Sequence, residues 1–481
     1  MSLYRLLLVL LISVSFSAGA SAADQVKERT ILPESVERIL AAHKMPVDSL
    51  SIFVQQIGED TPSLAVNSDV PRNPASTIKL LTTYMALEDL GPNYRWKTEA
   101  YLGGKLRDGL LDGDLYLKGY GDPYMVVERF WLFLRQMRQR GLLNIGGDLA
   151  IDNSYFDVPN ADPGAFDGQT FRTYNVVPDA LLVNFQAINF IFRPDPLTNR
   201  VEVIAEPWPT NLEIRNEIQL ADKKCGGFQR GITVRVTDVP EQNKVTFAGR
   251  FARGCSDYYL SRSVLQAPSY AYGVFNSLWQ EMGSDLRGGV RIEKVPEDLV
   301  PFLTVDSPPL SEVVRSVNKW SNNVMARHIF LTMGVERFGA PATLDKGREA
   351  AYMYLSEDGL DFPELRLDNG SGLSRKTQIS ARSLGRVLLA ADASLYRAEF
   401  VSSLPLSGLD GTLRRRFRNE GLTGRMHLKT GRLTDVFAMA GYLRSRSDNQ
   451  YVVVTIQNYD DAHRGPGEEI QSALLRWVYQ Q

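Results

Sequence analysis

Residues 74–87 read PASTIKLLTTYMAL. A proline followed by small residues opens a helix that runs on through Leu87, and Lys79 falls one turn after Ser76, on the same face. A serine hydroxyl is a poor nucleophile near neutral pH, and a neutral lysine amine at this spacing can take its proton. Ser76 also sits where a helix leaves its first amides without internal partners, so its own N–H can serve an oxyanion. The pattern S-x-x-K needs support from elsewhere, because Ser316-Val317-Asn318-Lys319 fits it equally and reads as the surface of a helix.

Two further groups supply what such a serine lacks. Ser321-Asn322-Asn323, in the connection after Trp320, offers a hydroxyl for proton relay and an amide able to hold a substrate carbonyl. Lys429-Thr430-Gly431 ends a predicted strand and offers a fixed positive charge, a hydroxyl donor for a carboxylate, and a residue whose missing Cβ permits close backbone approach. A literal Ser447-Asp448-Asn449 lies between two predicted strands, where the polar turn of a hairpin accounts for it.

Outward from these groups the chain changes texture twice. An amphipathic helix over 34–45 and a hairpin over 51–67 precede the Ser76 helix. From Trp96 to about Val295 short alternating strands with Gly and Asp turns prevail, interrupted by helices near 125–140 and 267–282. The first of these, rich in aromatic and apolar residues, reads as core packing. After Val300 helices return, followed by strands at 426–430, 437–444 and 451–457 and a last helix from Glu468. Hairpin-spaced strands with a covering helix imply an α+β fold, an antiparallel sheet with helices on its faces. The two helix-rich ends make one domain, and the strand-rich middle leaves it and returns as an insertion.

Composition narrows the function. The 481 residues are 44% hydrophobic and 23% charged, and the net charge of −2 provides no basic field for nucleic acid. Residues 1–22, with Arg5, an apolar run from Leu6 to Ile12 and Ala20-Ser21-Ala22, read as a secretory signal peptide, so an exported protein without a stable membrane anchor is expected. In that compartment Cys225 and Cys255 are expected to pair. The four histidines are scattered without metal-ligand spacing, so neither a metal nor another cofactor is expected. Arg414-Arg415-Arg416 reads as a solvated face near the cleft in preference to a track for an anionic polymer.

The three groups together form the S-x-x-K, S-x-N and K-T-G set of penicillin-recognising serine acyltransferases. With KGYGDPYM (118–125), DNGSGLSR (368–375), LPLSGLDGTLRRRF (404–417) and HLKTGRLTDVFAMAGYL (427–443), the chain from about residue 30 onward resembles the class C low-molecular-mass penicillin-binding proteins, the D-alanyl-D-alanine carboxypeptidases and endopeptidases of bacterial cell walls. The resemblance implies a β-lactamase/transpeptidase-like domain from residues 23–94 and 300–481, a mostly β inserted domain from 95–118 and 190–299, and a smaller domain nested at 119–189. It implies that Ser76 attacks the carbonyl between two D-alanines, or of a D-alanyl crosslink, with Lys79 as base and Ser321 as proton relay. Asn323 would bind the acyl side chain, Lys429 and Thr430 beside Gly431 would hold the substrate carboxylate, and the amides of Ser76 and Arg432 would bind the oxyanion.

Peptidoglycan peptides and crosslinks would be the partners in a periplasmic setting, and β-lactams would acylate and inhibit the enzyme. Asn322 stands where the family often has aspartate, and Arg432 where many relatives have a small hydroxyl residue. FDVPNADPGAFDGQTF (156–171) resembles the substrate-side-chain region without its usual Pro-Gly-Trp; Asp162 or Asp167 would read a free amine there, or serve as ordinary loop carboxylates. Other readings of the same set are a β-lactamase, for which no dedicated deacylating base is visible, and a non-catalytic wall-binding protein.

Overall fold

The structure, a computed structural model, describes residues 31–158, 162–195, 197–222, 224–226, 231–239 and 242–481. The expected signal peptide at 1–22 lies outside them.

The chain starts with α1 (Glu34–Ala42), β1 (Leu50–Gln56) and β2 (Leu64–Val66), then a 3₁₀ turn at Ala75–Ile78 that runs into α2 (Lys79–Leu90). It returns after the inserted region as α5 (Leu310–Trp320), α6 (Asn323–Phe338), α7 (Leu344–Glu357), α8 (Ala381–Ala393) and α9 (Arg397–Ser403), then β16 (Met426–Leu433), β17 (Val436–Arg444), β18 (Gln450–Asn458) and α10 (Pro466–Tyr479). The strands form one antiparallel sheet in the order β16-β17-β18-β1-β2. Its centre is buried on both faces. Strand alternation sends Phe53, Val452, Val454 and Ile456 toward α2, α5, α6 and α8. It sends Ile52, Val54, Tyr451 and Val453 toward α1 and α10. This is the expected α+β layering, with the two chain ends pairing through β1 and β18.

Between α2 and α5 lie β3 (Lys97–Arg107), β4 (Leu110–Gly119), α3 (Val127–Gln139), β5 (Asn144–Ile145), β6 (Leu149–Asp152), β7 (Ile188–Asp195), β8 (Arg200–Glu206), β9 (Glu213–Ala221), β10 (Ile232–Val239), β11 (Gln242–Ala252), β12 (Tyr258–Arg262), α4 (Ala267–Glu281), β13 (Asp285–Leu286), β14 (Val290–Ile292) and β15 (Leu303–Asp306). Pairing here departs from the expected boundaries. β5 and β6 join β3, β4, β13, β14 and β15 in a seven-stranded sheet, although they fall in the 119–189 segment expected to stand apart. The small sheets are instead β12-β7-β8 and β10-β11-β9, drawn from residues 188–262. Register explains the difference: Leu115 and Leu117 of β4 pair with Leu149 and Ile151 of β6, and these, with Phe130, Phe133 and Phe275, bury one shared core.

Cys225 and Cys255 are bonded, with Cα atoms 5.0 Å apart, and tie the end of β9 to the end of β11. Ser316–Lys319 corrects the expectation of a helix surface. α5 packs against α2 and α9, so Asn318 is buried, donating to Thr83 Oγ1 and Ser403 Oγ, and buried Lys319 meets Asp410 at 2.6 Å. Phe130, Phe133, Leu134 and Met137 of α3 are core, as expected.

Candidate active site

The site is assembled where β16, the edge of the main sheet, passes the turn that opens α2. Asn73 shapes that turn: its Oδ1 accepts from the amide of Ala75 at 2.9 Å, its Nδ2 donates to Ser374 O, and its own amide donates to Asn458 Oδ1. Ala75 is thereby held at φ 47°, a left-handed conformation that a non-glycine residue adopts only under tertiary restraint. Ser76 lies in a 3₁₀ turn rather than within the α-helix itself, and in such a turn residues three apart eclipse. Lys79 Nζ therefore stands 2.9 Å from Ser76 Oγ.

Lys79 is fully buried. Its Nζ donates to Asn323 Oδ1 at 2.7 Å and to the carbonyl of Ser371. Two pure acceptors and one hydroxyl suit a neutral amine, which has two N–H bonds and one lone pair. Burial, then the positive Lys429 and Arg327, hold its pKa well below the usual lysine value. The Ser371 carbonyl is presented by a loop in which Gly370 and Gly372 both take positive φ, and a Cβ on Gly372 would lie 2.0 Å from Ala75 O.

Ser321 ends α5 in a left-handed conformation (φ 58°). Its Oγ accepts from Lys429 Nζ at 2.8 Å. Asn322 explains why the departure from aspartate is tolerated, since its side chain caps α6 by accepting from the amide of Met325, which Asn does as well as Asp. Lys429 lies within β16 rather than at its end, is fully buried, and is pushed by burial down to about 7. Thr430 Oγ1 meets Thr412 Oγ1 at 3.0 Å. At Gly431 a Cβ would lie 2.6 Å from Pro74 O and 3.1 Å from Ser76 N, so only glycine lets β16 pass this close to the Ser76 amide. The Arg432 side chain is exposed.

The inserted region reaches the site through its backbone: Asn323 Nδ2 donates to Tyr174 O at 3.2 Å and Arg327 Nη1 to Val176 O. Asp162 caps the turn at Gly164. Asp167 accepts from Tyr174 Oη, Asn175 Nδ2 and the amide of Gln169, which lower its pKa against the effect of burial. Ser447–Asn449 forms the β17–β18 turn, as expected. Arg414 and Arg415 are exposed, whereas Arg416 is half-buried against Gln471 and Ser472.

Sequence reasoning missed Ser371, Arg327, Thr412 and Tyr174. The Gly-Ser-Gly at 370–372 was a usable signal for the first. The other three act through backbone carbonyls, long-range charge or a partner hydroxyl, which no local pattern reveals. Among the described residues no group of three or more His, Cys, Asp or Glu is placed so that it could hold a metal ion.

Buried lysine against serine at a helix start, a Ser-x-Asn connection and an edge-strand Lys-Thr-Gly define a serine acyl-transfer site on a transpeptidase-like fold. Residues 32–481 match the D-Ala-D-Ala carboxypeptidase 3 (S13) family, and the chain belongs to that family. It is 24% identical over 453 residues to the D-alanyl-D-alanine carboxypeptidase DacB of Haemophilus influenzae, covering 93% of this chain and 91% of that protein. Identity to the D-alanyl-D-alanine carboxypeptidase of an Actinomadura species is 28% over 383 residues, 77% of this chain and 70% of that one. In fold it is similar to penicillin binding protein 4 of H. influenzae, with a TM-score of 0.78 at 22% identity over 93% of this chain and 99% of the other. A predatory peptidoglycan endopeptidase of Bdellovibrio bacteriovorus follows at a TM-score of 0.51 and 16% identity, over 89% and 90%.

Proposed function

We propose that this protein is an exported, periplasmic D-Ala-D-Ala carboxypeptidase and endopeptidase acting on peptidoglycan peptides through an acyl-enzyme on Ser76. The observation that carries the reading is the buried Lys79 amine 2.9 Å from Ser76 Oγ, with its other two contacts both acceptors. Lys79 takes the hydroxyl proton as Ser76 Oγ bonds to the scissile carbonyl carbon. The amides of Ser76 and Arg432 receive the negative charge on the carbonyl oxygen. Ser321, hydrogen-bonded to Lys429, returns a proton to the departing amine, the C–N bond breaks, and water then releases the acyl group. Lys429 and Thr430 hold the substrate carboxylate and Asn323 the acyl side chain, with Gly431 giving room. Asp167 is engaged by three donors, which favours its reading as a carboxylate that shapes the loop.

Mass spectrometry after benzylpenicillin treatment is expected to find the adduct on the peptide containing Ser76 and to find none in Ser76→Ala at an unchanged thermal midpoint. Labelling that survives in the variant refutes the assignment. Turnover of the adduct within seconds would favour the β-lactamase reading instead.

A further inference from the structure

A second polar cavity, of about 470 Å³, lies between the start of α9 and the far ends of β16, β17 and β18. None of Ser76, Lys79, Ser321 and Lys429 lines it. Its walls include Arg397, Arg425, Arg444, His427, Asp448 and Gln450. Asp448 belongs to the literal Ser-Asp-Asn that forms the β17–β18 turn, and it holds the cavity wall together, since its Oδ1 meets Arg425 Nη1 and Arg444 Nε, each at 3.1 Å. Arg397 is held by Asp392 at 2.6 Å and by Gln450 Oε1 at 3.2 Å. Three guanidiniums thus face two carboxylates, and one positive charge is left over.

The donors are in larger excess than the charge. A guanidinium has five N–H donors. Arg444 commits only its Nε to a side-chain acceptor among the described residues, leaving both Nη groups, the fork that grips a planar carboxylate or a phosphate, without one. The Arg425 guanidinium, through its Nη1, is anchored by Ser445 O and Asp448 and is stacked over the Tyr479 ring, while Nε and Nη2 have no such acceptor. Arg444 is exposed and Arg397 and Arg425 are partly so, and their unused donors around the cavity form an anion receptor.

We propose that this cavity is an anion-binding site separate from the Ser76 cleft, taking a carboxylate- or phosphate-bearing ligand through Arg444, Arg425 and Arg397. Wall peptides supply the one group and phosphorylated polymers or lipids the other. The inference does not rest on the acyl-enzyme reading.

Isothermal titration of the full chain with citrate and, separately, inorganic phosphate at constant ionic strength tests it and distinguishes the two sources. Saturable binding of at least one probe is expected, weakened at least tenfold in Arg444→Gln and in Arg397→Gln, and unchanged in Lys105→Gln, an exposed charge loss elsewhere. Binding should also persist after benzylpenicillin treatment. No saturable binding of either probe, wild-type binding by both arginine variants, or loss of binding on acylation overturns the proposal. If penicillin leaves no adduct, the failure falls on the acyl-enzyme reading, while the arginine variants still decide the cavity.

Discussion

Lys79 shows how a residue type acquires chemistry from its surroundings. In water its amine would be charged, but burial beside Lys429 and Arg327 keeps it neutral well below the ordinary lysine range. In the proposed role Lys429 must be charged to hold a carboxylate, and burial, which pushes it down to about 7, sets where the free protein loses that charge. The second-order rate of acylation by benzylpenicillin should therefore rise with pH as Lys79 sheds its proton, and fall above about pH 7 as Lys429 discharges. A rate still climbing at pH 9 would refute the assignment of Lys429. Lys79→Arg should be nearly inactive, because guanidinium does not deprotonate; an active variant would point to another base. Arg432 is exposed, with no side-chain ion pair among the described residues. Arg432→Thr should leave penicillin acylation within about tenfold, roughly 1.4 kcal/mol, while shifting the ratio of carboxypeptidase to endopeptidase turnover. Equal changes for both peptides would leave this side chain without a part in selection.

At the scale of elements, the site is a contact between an edge strand and a turn. β16 comes so near the 75–78 turn that a Cβ at Gly431 would lie 2.6 Å from Pro74 O. Gly431→Val should push the strand outward and lower the acylation rate on the order of 100-fold, the scale of a 1 Å misplacement, with the thermal midpoint close to wild type because an edge strand can yield locally. Stopped-flow acylation and a melting curve check the pair, and an unaffected rate would mean that the strand need not approach Ser76 so closely. The sequence already contained the helix, the Ser-x-Asn connection and the strand, because periodicity and small-residue signals are local. It misjudged Ser316–Lys319, since the burial of α5 depends on α2 and α9 arriving from distant parts of the chain.

At the scale of the whole molecule, the inserted region touches Asn323 through Tyr174 O and Arg327 through Val176 O, whereas the disulfide lies at the ends of β9 and β11. A closed loop spanning 30 positions contributes about 3.5 kcal/mol in the chain-entropy model. Cys255→Ser should speed amide exchange in β9 and β11 and leave acylation at Ser76 unchanged. A parallel fall in acylation would show that this sheet braces the cleft.

The sequence by itself determined which groups could carry the proposed chemistry and their order along the chain: Ser76 with Lys79, then Ser321 and Asn323, then Lys429 to Gly431, on elements with readable local periods. It also determined that a strand-rich segment interrupts the catalytic fold. The tertiary structure alone decided which strands of that segment share a sheet, which carbonyl completes the shell of Lys79, and why Lys319, matching the same pattern as Lys79, holds Asp410 instead. Pairing register, burial and pKa are set by groups far apart in sequence, so they exist only once the chain has closed on itself.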